Sequence, residues 1–100
     1  MVKIGVFLQF RAKPGMRNEL AVHLVQTSES YADEAGTEVF TIHVSPVEPD
    51  TVLVYERYRD AQAKEAHESA PGYAAIRDKT GTFLAGPPLA LPLLYVGGKE

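Results

Sequence analysis

The sequence predicts an α+β protein, an antiparallel sheet of four strands with helices packed on one of its faces. Two observations carry this. Apolar residues recur at period two in four segments and at steps of three or four in the stretches between them. The boundaries between these regimes fall on proline, glycine and acidic residues, which punctuate backbone structure.

Residues 3–11 alternate, with Ile4, Val6, Leu8 and Phe10 on one face and Lys3, Gly5, Phe7, Gln9 and Arg11 on the other, which predicts a strand. Lys13-Pro14-Gly15 ends it. Met16, Leu20, Leu24, Thr27, Tyr31 and Ala35 then draw one stripe down a helix over residues 16–35, with Gly36 as its expected C′ stop. Residues 37–45 and 51–59 are rich in β-branched and aromatic side chains, and the intervening Pro46-Val47-Glu48-Pro49-Asp50 reads as the turn of an antiparallel hairpin. Asp60 offers a capping oxygen to a helix over residues 61–70, which Pro71-Gly72 breaks. A second helical piece follows, with Tyr73, Ile76, Thr80 and Phe83 on its stripe. Gly86-Pro87-Pro88 leads into an apolar last strand, residues 89–96, whose Pro92 is tolerated best at a sheet edge. The order β-α-β-β-α-β is the split βαβ, or ferredoxin-like, arrangement.

With 100 residues and no cysteine, the chain fits one domain over residues 1–100, without disulfides or thiolate metal sites. Its net charge of −3, without a basic patch, excludes a phosphate-tracking nucleic-acid surface. No apolar run approaches the ~18 residues of a membrane helix, so a cytoplasmic protein without membrane contact is expected. The strands are apolar on both faces: Phe7 opposes Val6 and Leu8, Leu53 and Tyr55 oppose Val52 and Val54, and Leu94 and Val96 oppose Leu93 and Tyr95. Two helices cover one face only. Each large side chain left bare forfeits roughly 1.5–3 kcal/mol, so a homodimer through the open sheet face is expected, the alternative being a monomer with one face made wet by Thr41, His43, Gln9 and Arg57.

Among residues able to carry chemistry, His67 is the one large side chain on a helix face otherwise made of Ala63, Ala66 and Ala70. Facing the sheet, it would enter a pocket walled by Val6, Leu8 and Val54, where a group that ordinarily titrates near neutrality can act as a base. A histidine bonded to a backbone carbonyl and filling volume is the structural alternative. Arg77, one turn after Tyr73, is placed to hold an anionic oxygen at the pocket mouth, or else to lie along the surface with its head in water. Glu56 shares its strand face with Val52, Val54 and Tyr58, where an enclosed carboxylate needs a partner. His23 and His43 have no second ligand at a productive spacing, and no glycine-rich turn joins a strand to a helix, so neither metal nor nucleotide cofactor is expected.

The run Val54-Tyr55-Glu56-Arg57-Tyr58, then Asp60, an alanine-rich stretch, and His67 followed by Ser69, resembles the antibiotic biosynthesis monooxygenase family. So do Ala12-Lys13-Pro14-Gly15 and Ala35-Gly36-Thr37 on either side of the long helix, and the likeness runs over nearly the whole chain. It implies a dimeric α/β barrel with a small ligand pocket between sheet and helices of each protomer. It also implies oxygenation of quinols or polyketides by dioxygen without metal or flavin. The haem-degrading members carry Asn, Trp and His where this chain, by spacing, has Leu8, His67 and Arg77, so haem degradation is not implied. A second histidine common in the oxygenases falls on Pro71 or Gly72 here.

The expected function is therefore a cofactor-independent monooxygenase acting on a small phenol, hydroquinone or polyketide-derived aromatic. In it His67 takes the phenolic proton, Arg77 holds the phenolate, Tyr73 with Tyr55 or Tyr58 orients the ring, and Val6, Leu8, Phe10 and Leu24 exclude water. The alternatives are a binding or stress-associated dimer without turnover, and an isomerase or cyclase that uses the same histidine.

Overall fold

A computed structural model describes residues 2–100. The chain runs β1 (Ile4–Arg11), α1 (Arg17–Glu29), β2 (Thr37–Val44), β3 (Thr51–Tyr58), α2 (Ala61–Ser69), α3 (Tyr73–Gly81) and β4 (Leu89–Leu94). The four strands form one antiparallel sheet in the order β2-β3-β1-β4, so β4 and its Pro92 lie at an edge, as the ferredoxin-like topology predicts.

Register decides which side chains meet the helices. Ile4, Val6, Leu8 and Phe10 of β1 stand opposite Tyr58, Glu56, Val54 and Val52 of β3, and Phe40 and Ile42 of β2 stand opposite Glu56 and Val54. Because side chains alternate along a strand, these residues share the helix-covered face, and β3 shows it as a strict alternation of buried and half-buried positions. The core is Phe10, Ala12, Val52 and Val54 of the sheet side under Leu20 and Leu24 of α1. The opposite face carries Phe7, Leu53, Tyr55, Leu91 and Leu93 with no element over it. All six residues of β4 are exposed.

Two local expectations are corrected. α1 stops at Glu29 rather than running to residue 35, because the hydroxyls of Ser28 and Ser30 bond the carbonyls of Val25 and Thr27 at 2.6 Å. The following amides of Ser30 and Tyr31 then reach back only three residues, which tightens the chain into turns. Gly36 is not a left-handed cap. A Cβ there would lie 2.6 Å from the Cβ of Ala63, so glycine is needed for close approach of α2. The helical region after β3 is two helices, as the Pro71-Gly72 break predicts, joined at Gly72, whose φ of +90° only glycine adopts readily.

Candidate active site

α2 begins where the carboxylate of Asp60 accepts a hydrogen bond from the Ala63 amide at 2.8 Å. Ala63 and Gly36 let this helix sit almost backbone to backbone against the strand entry, and one turn later His67 comes out on the sheet side, 4% exposed. Four aromatic rings from four different segments box it in. Tyr31, from the turns after α1, meets it edge-on at 4.3 Å, Tyr58 of β3 lies at 5.2 Å, Tyr73 of α3 at 5.4 Å and Phe40 of β2 at 6.3 Å.

The imidazole is polarised at one nitrogen. Its Nδ1 lies 2.7 Å from Oε1 of Glu34, an oxygen that also accepts the Thr37 hydroxyl at 2.7 Å. Nε2 makes no hydrogen bond to the described residues. No enclosed side-chain nitrogen or oxygen among them lacks a partner, so Nε2 borders open space.

A cavity of about 180 Å³ adjoins His67 under the helices, its floor Leu8, Phe10 and Phe40 and its helix side Leu24, Tyr73 and Ile76. Two charged groups reach it. Glu56 enters from β3, its carboxylate accepting the Tyr58 hydroxyl, and burial pushes its pKa above the ordinary range against the opposing pull of that hydroxyl and of His67. Arg77 sits exposed at the mouth with Pro88, and forms no ion pair with the described residues. Burial raises the phenols as well: Tyr31 rises to about 12, helped by Glu34, and Tyr58 and Tyr73 rise in the same direction with help from nearby carboxylates. All three tyrosines therefore stay protonated at neutral pH and act as neutral hydroxyls and packing rings, not as bases.

Of the residues expected at the site, His67, Arg77, Tyr73, Leu8, Phe10, Leu24 and Glu56 line this one cavity. Tyr58 stands behind the imidazole as ring and as donor to Glu56, without lining the space. Val6 lies on the same face, paired with Glu56, and does not line it either. Tyr55 is corrected. It pairs with Phe7 and Thr41 on the open face, one residue out of phase with Val54 and Glu56, so the sheet itself separates it from the cavity. The sequence reading missed Glu34, Tyr31 and Phe40. His23 and His43 lie elsewhere. His23 bonds the Thr80 hydroxyl at 2.8 Å and ties α1 to α3, its pKa lowered by burial and by Lys79, while His43 is exposed beside Thr41. Among the described residues no three His, Asp or Glu side chains converge as metal ligands.

The split βαβ sheet and the enclosed imidazole beneath its helices define a small α+β protein with a ligand-sized pocket. The family model for antibiotic biosynthesis monooxygenases matches residues 3–79, and the chain belongs to that family. Solved structures of the same fold include a protein from Mycobacterium tuberculosis, 22% identical, with a TM-score of 0.85 over 98% of this chain and 99% of that one. A candidate antibiotic biosynthesis monooxygenase from Caulobacter crescentus is 24% identical, with a TM-score of 0.89 over 96% of this chain and 92% of that one. A protein of unknown function from Nitrosomonas europaea is 26% identical, with a TM-score of 0.82 over 100% and 95%. No curated protein matches the chain.

Proposed function

We propose that the chain is a cofactor-independent monooxygenase whose substrate is a single-ring phenol or hydroquinone. The observation that carries this is an imidazole held at Nδ1 by a carboxylate and lining, together with an exposed arginine, a mainly apolar cavity. Size narrows the substrate. A cavity of ~150 Å³ takes a benzene, so about 180 Å³ suits one substituted ring better than three fused ones. His67 accepts the phenolic proton through Nε2, and Arg77 donates hydrogen bonds to the phenolate at the mouth. The aliphatic and aromatic walls keep water from the electron-rich ring, which reduces dioxygen itself. For a hydroquinone the balance is one oxygen atom retained in a hydroxyquinone and the other released as water.

A second copy of the chain completes the protein in this reading. The folded chain exposes 6440 Å², against roughly 5600 Å² typical for a monomer of 10.9 kDa. The excess is close to the ~800 Å² that each partner contributes to a standard interface. The open face of Phe7, Leu53, Tyr55, Leu91 and Leu93 supplies an apolar patch to cover.

Oxygen uptake with a panel of hydroquinones, phenols and anthrones tests the activity. His67→Ala is expected to lower kcat/KM by about 10²–10⁴-fold, measured below its melting temperature, where circular dichroism shows both proteins folded. Equal rates in the two proteins would remove His67 from the chemistry. One observation favours a second reading: Glu56, a carboxyl held protonated more readily than usual, shares the cavity with His67, an acid and a base suited to isomerisation. Product formation under nitrogen would select it.

A further inference from the structure

His67 separates two spaces. On one side is the apolar cavity, which Glu34 does not reach; on the other is a hollow of about 310 Å³ lined by Glu34, Gly36, Ala63, Ala66 and Ala70. Glu34 lies 33 residues from His67 in the chain, on the irregular turns between α1 and β2, and its side chain is 27% exposed. The imidazole thus borders a mainly apolar cavity and a hollow whose lining includes the Glu34 carboxylate.

We propose that Glu34 is a positioning residue, which fixes His67 in the tautomer with its proton on Nδ1 and so presents the Nε2 lone pair to the cavity. An ionised carboxylate only accepts hydrogen bonds, so the 2.7 Å contact requires the proton to be on Nδ1. The Thr37 hydroxyl, donating to the same oxygen, fixes that oxygen in turn. A neutral imidazole with one N–H then has its lone pair on Nε2, at the nitrogen left without a partner. When a phenol enters, its O–H bond breaks as the Nε2–H bond forms, and the electron pair stays on the phenolate oxygen. The imidazolium produced lies against the Glu34 carboxylate, which offsets its charge, and that carboxylate lines the second hollow rather than the apolar cavity. Small side chains at 36, 63, 66 and 70 keep the hollow open beside it. This assignment rests on the reading of His67 as the base, but the tautomer exists without any substrate.

Long-range ¹H–¹⁵N correlation spectra of the ¹⁵N-labelled full chain report which ring nitrogen carries the proton, with His67→Asn identifying the His67 signals among the three histidines. The expected spectrum has Nδ1 protonated and Nε2 bare. Glu34→Ala, or Glu34→Met if the alanine variant does not fold, is expected to lose that form, the ring reverting to the Nε2–H tautomer that free histidine favours. Glu34→Gln, whose carbonyl still accepts from Nδ1, is expected to retain it. With a hydroquinone that supports oxygen uptake, Glu34→Ala is expected to lose about 10- to 100-fold in kcat with little change in KM, the range for losing a partner that orients a functional imidazole. An Nε2–H ring in the unaltered protein, or an unchanged Nδ1–H ring in Glu34→Ala, overturns the proposal. Absence of uptake in every protein overturns the oxygenase reading and leaves the tautomer result standing on its own.

Discussion

Phe10 and Phe7 sit three residues apart on β1, on opposite faces of the sheet, and their surroundings differ in kind. Phe10 is buried under α1 and floors the cavity; Phe7 is half-buried between Tyr55 and Leu91 with no element above it. One residue type in one strand thus serves two ends. The covered face holds the fold together and encloses the site. The open face sets Phe7, Leu53, Tyr55, Leu91 and Leu93 among polar neighbours and takes no part in either, and it is the face that the proposed second copy would cover.

The comparison breaks most readily at Phe10. Phe10→Ala is expected to cost about 3–5 kcal/mol of unfolding free energy, independent of protein concentration, in urea melts. Phe7→Asp tests the other face. It is expected to raise the dimer dissociation constant by about 30-fold or more in sedimentation experiments, the scale of an interface hot spot, while a variant monomer keeps its secondary structure. A Phe7→Asp protein that associates like the unaltered one would move the interface elsewhere. Smallest is an effect of pH on the covered face. The native state holds a proton on Glu56 more tightly than the unfolded chain does, so stability attributable to this group falls as pH rises from the ordinary value of 4.5 to its raised one, and is flat beyond. Glu56→Gln is expected to remove that decline, checked by urea midpoints between about pH 4 and 7.

Much of this was legible in the chain. Period two in β1 and β3 separates the faces, and the same period already excludes Tyr55, since Glu56 and Val54 have the opposite parity to it. Alanines around His67 mark a helix face with open space, though that space is the hollow beside Glu34 rather than the apolar cavity, and Asp60 marks where that helix starts. Tyr31 stood on the apolar stripe after Thr27, a usable signal for a ring near the site, although the helix that drew the stripe ends before it. Glu34 left no such trace. It belongs to turns without periodicity, and its meeting with a residue 33 positions later is made by tertiary packing of α2. Gly36 was visible as a glycine, but its reason, contact with Ala63, is also long-range.

That contact reaches further than its size suggests. Where two segments touch through a missing side chain and a methyl group, no long rotamer stands between them to take up slack. The ring of His67 is consequently registered to the sheet with main-chain tolerance, and a lone methyl added at position 36 would act as a wedge, tilting the imidazole out of line while leaving every group around the guest chemically intact.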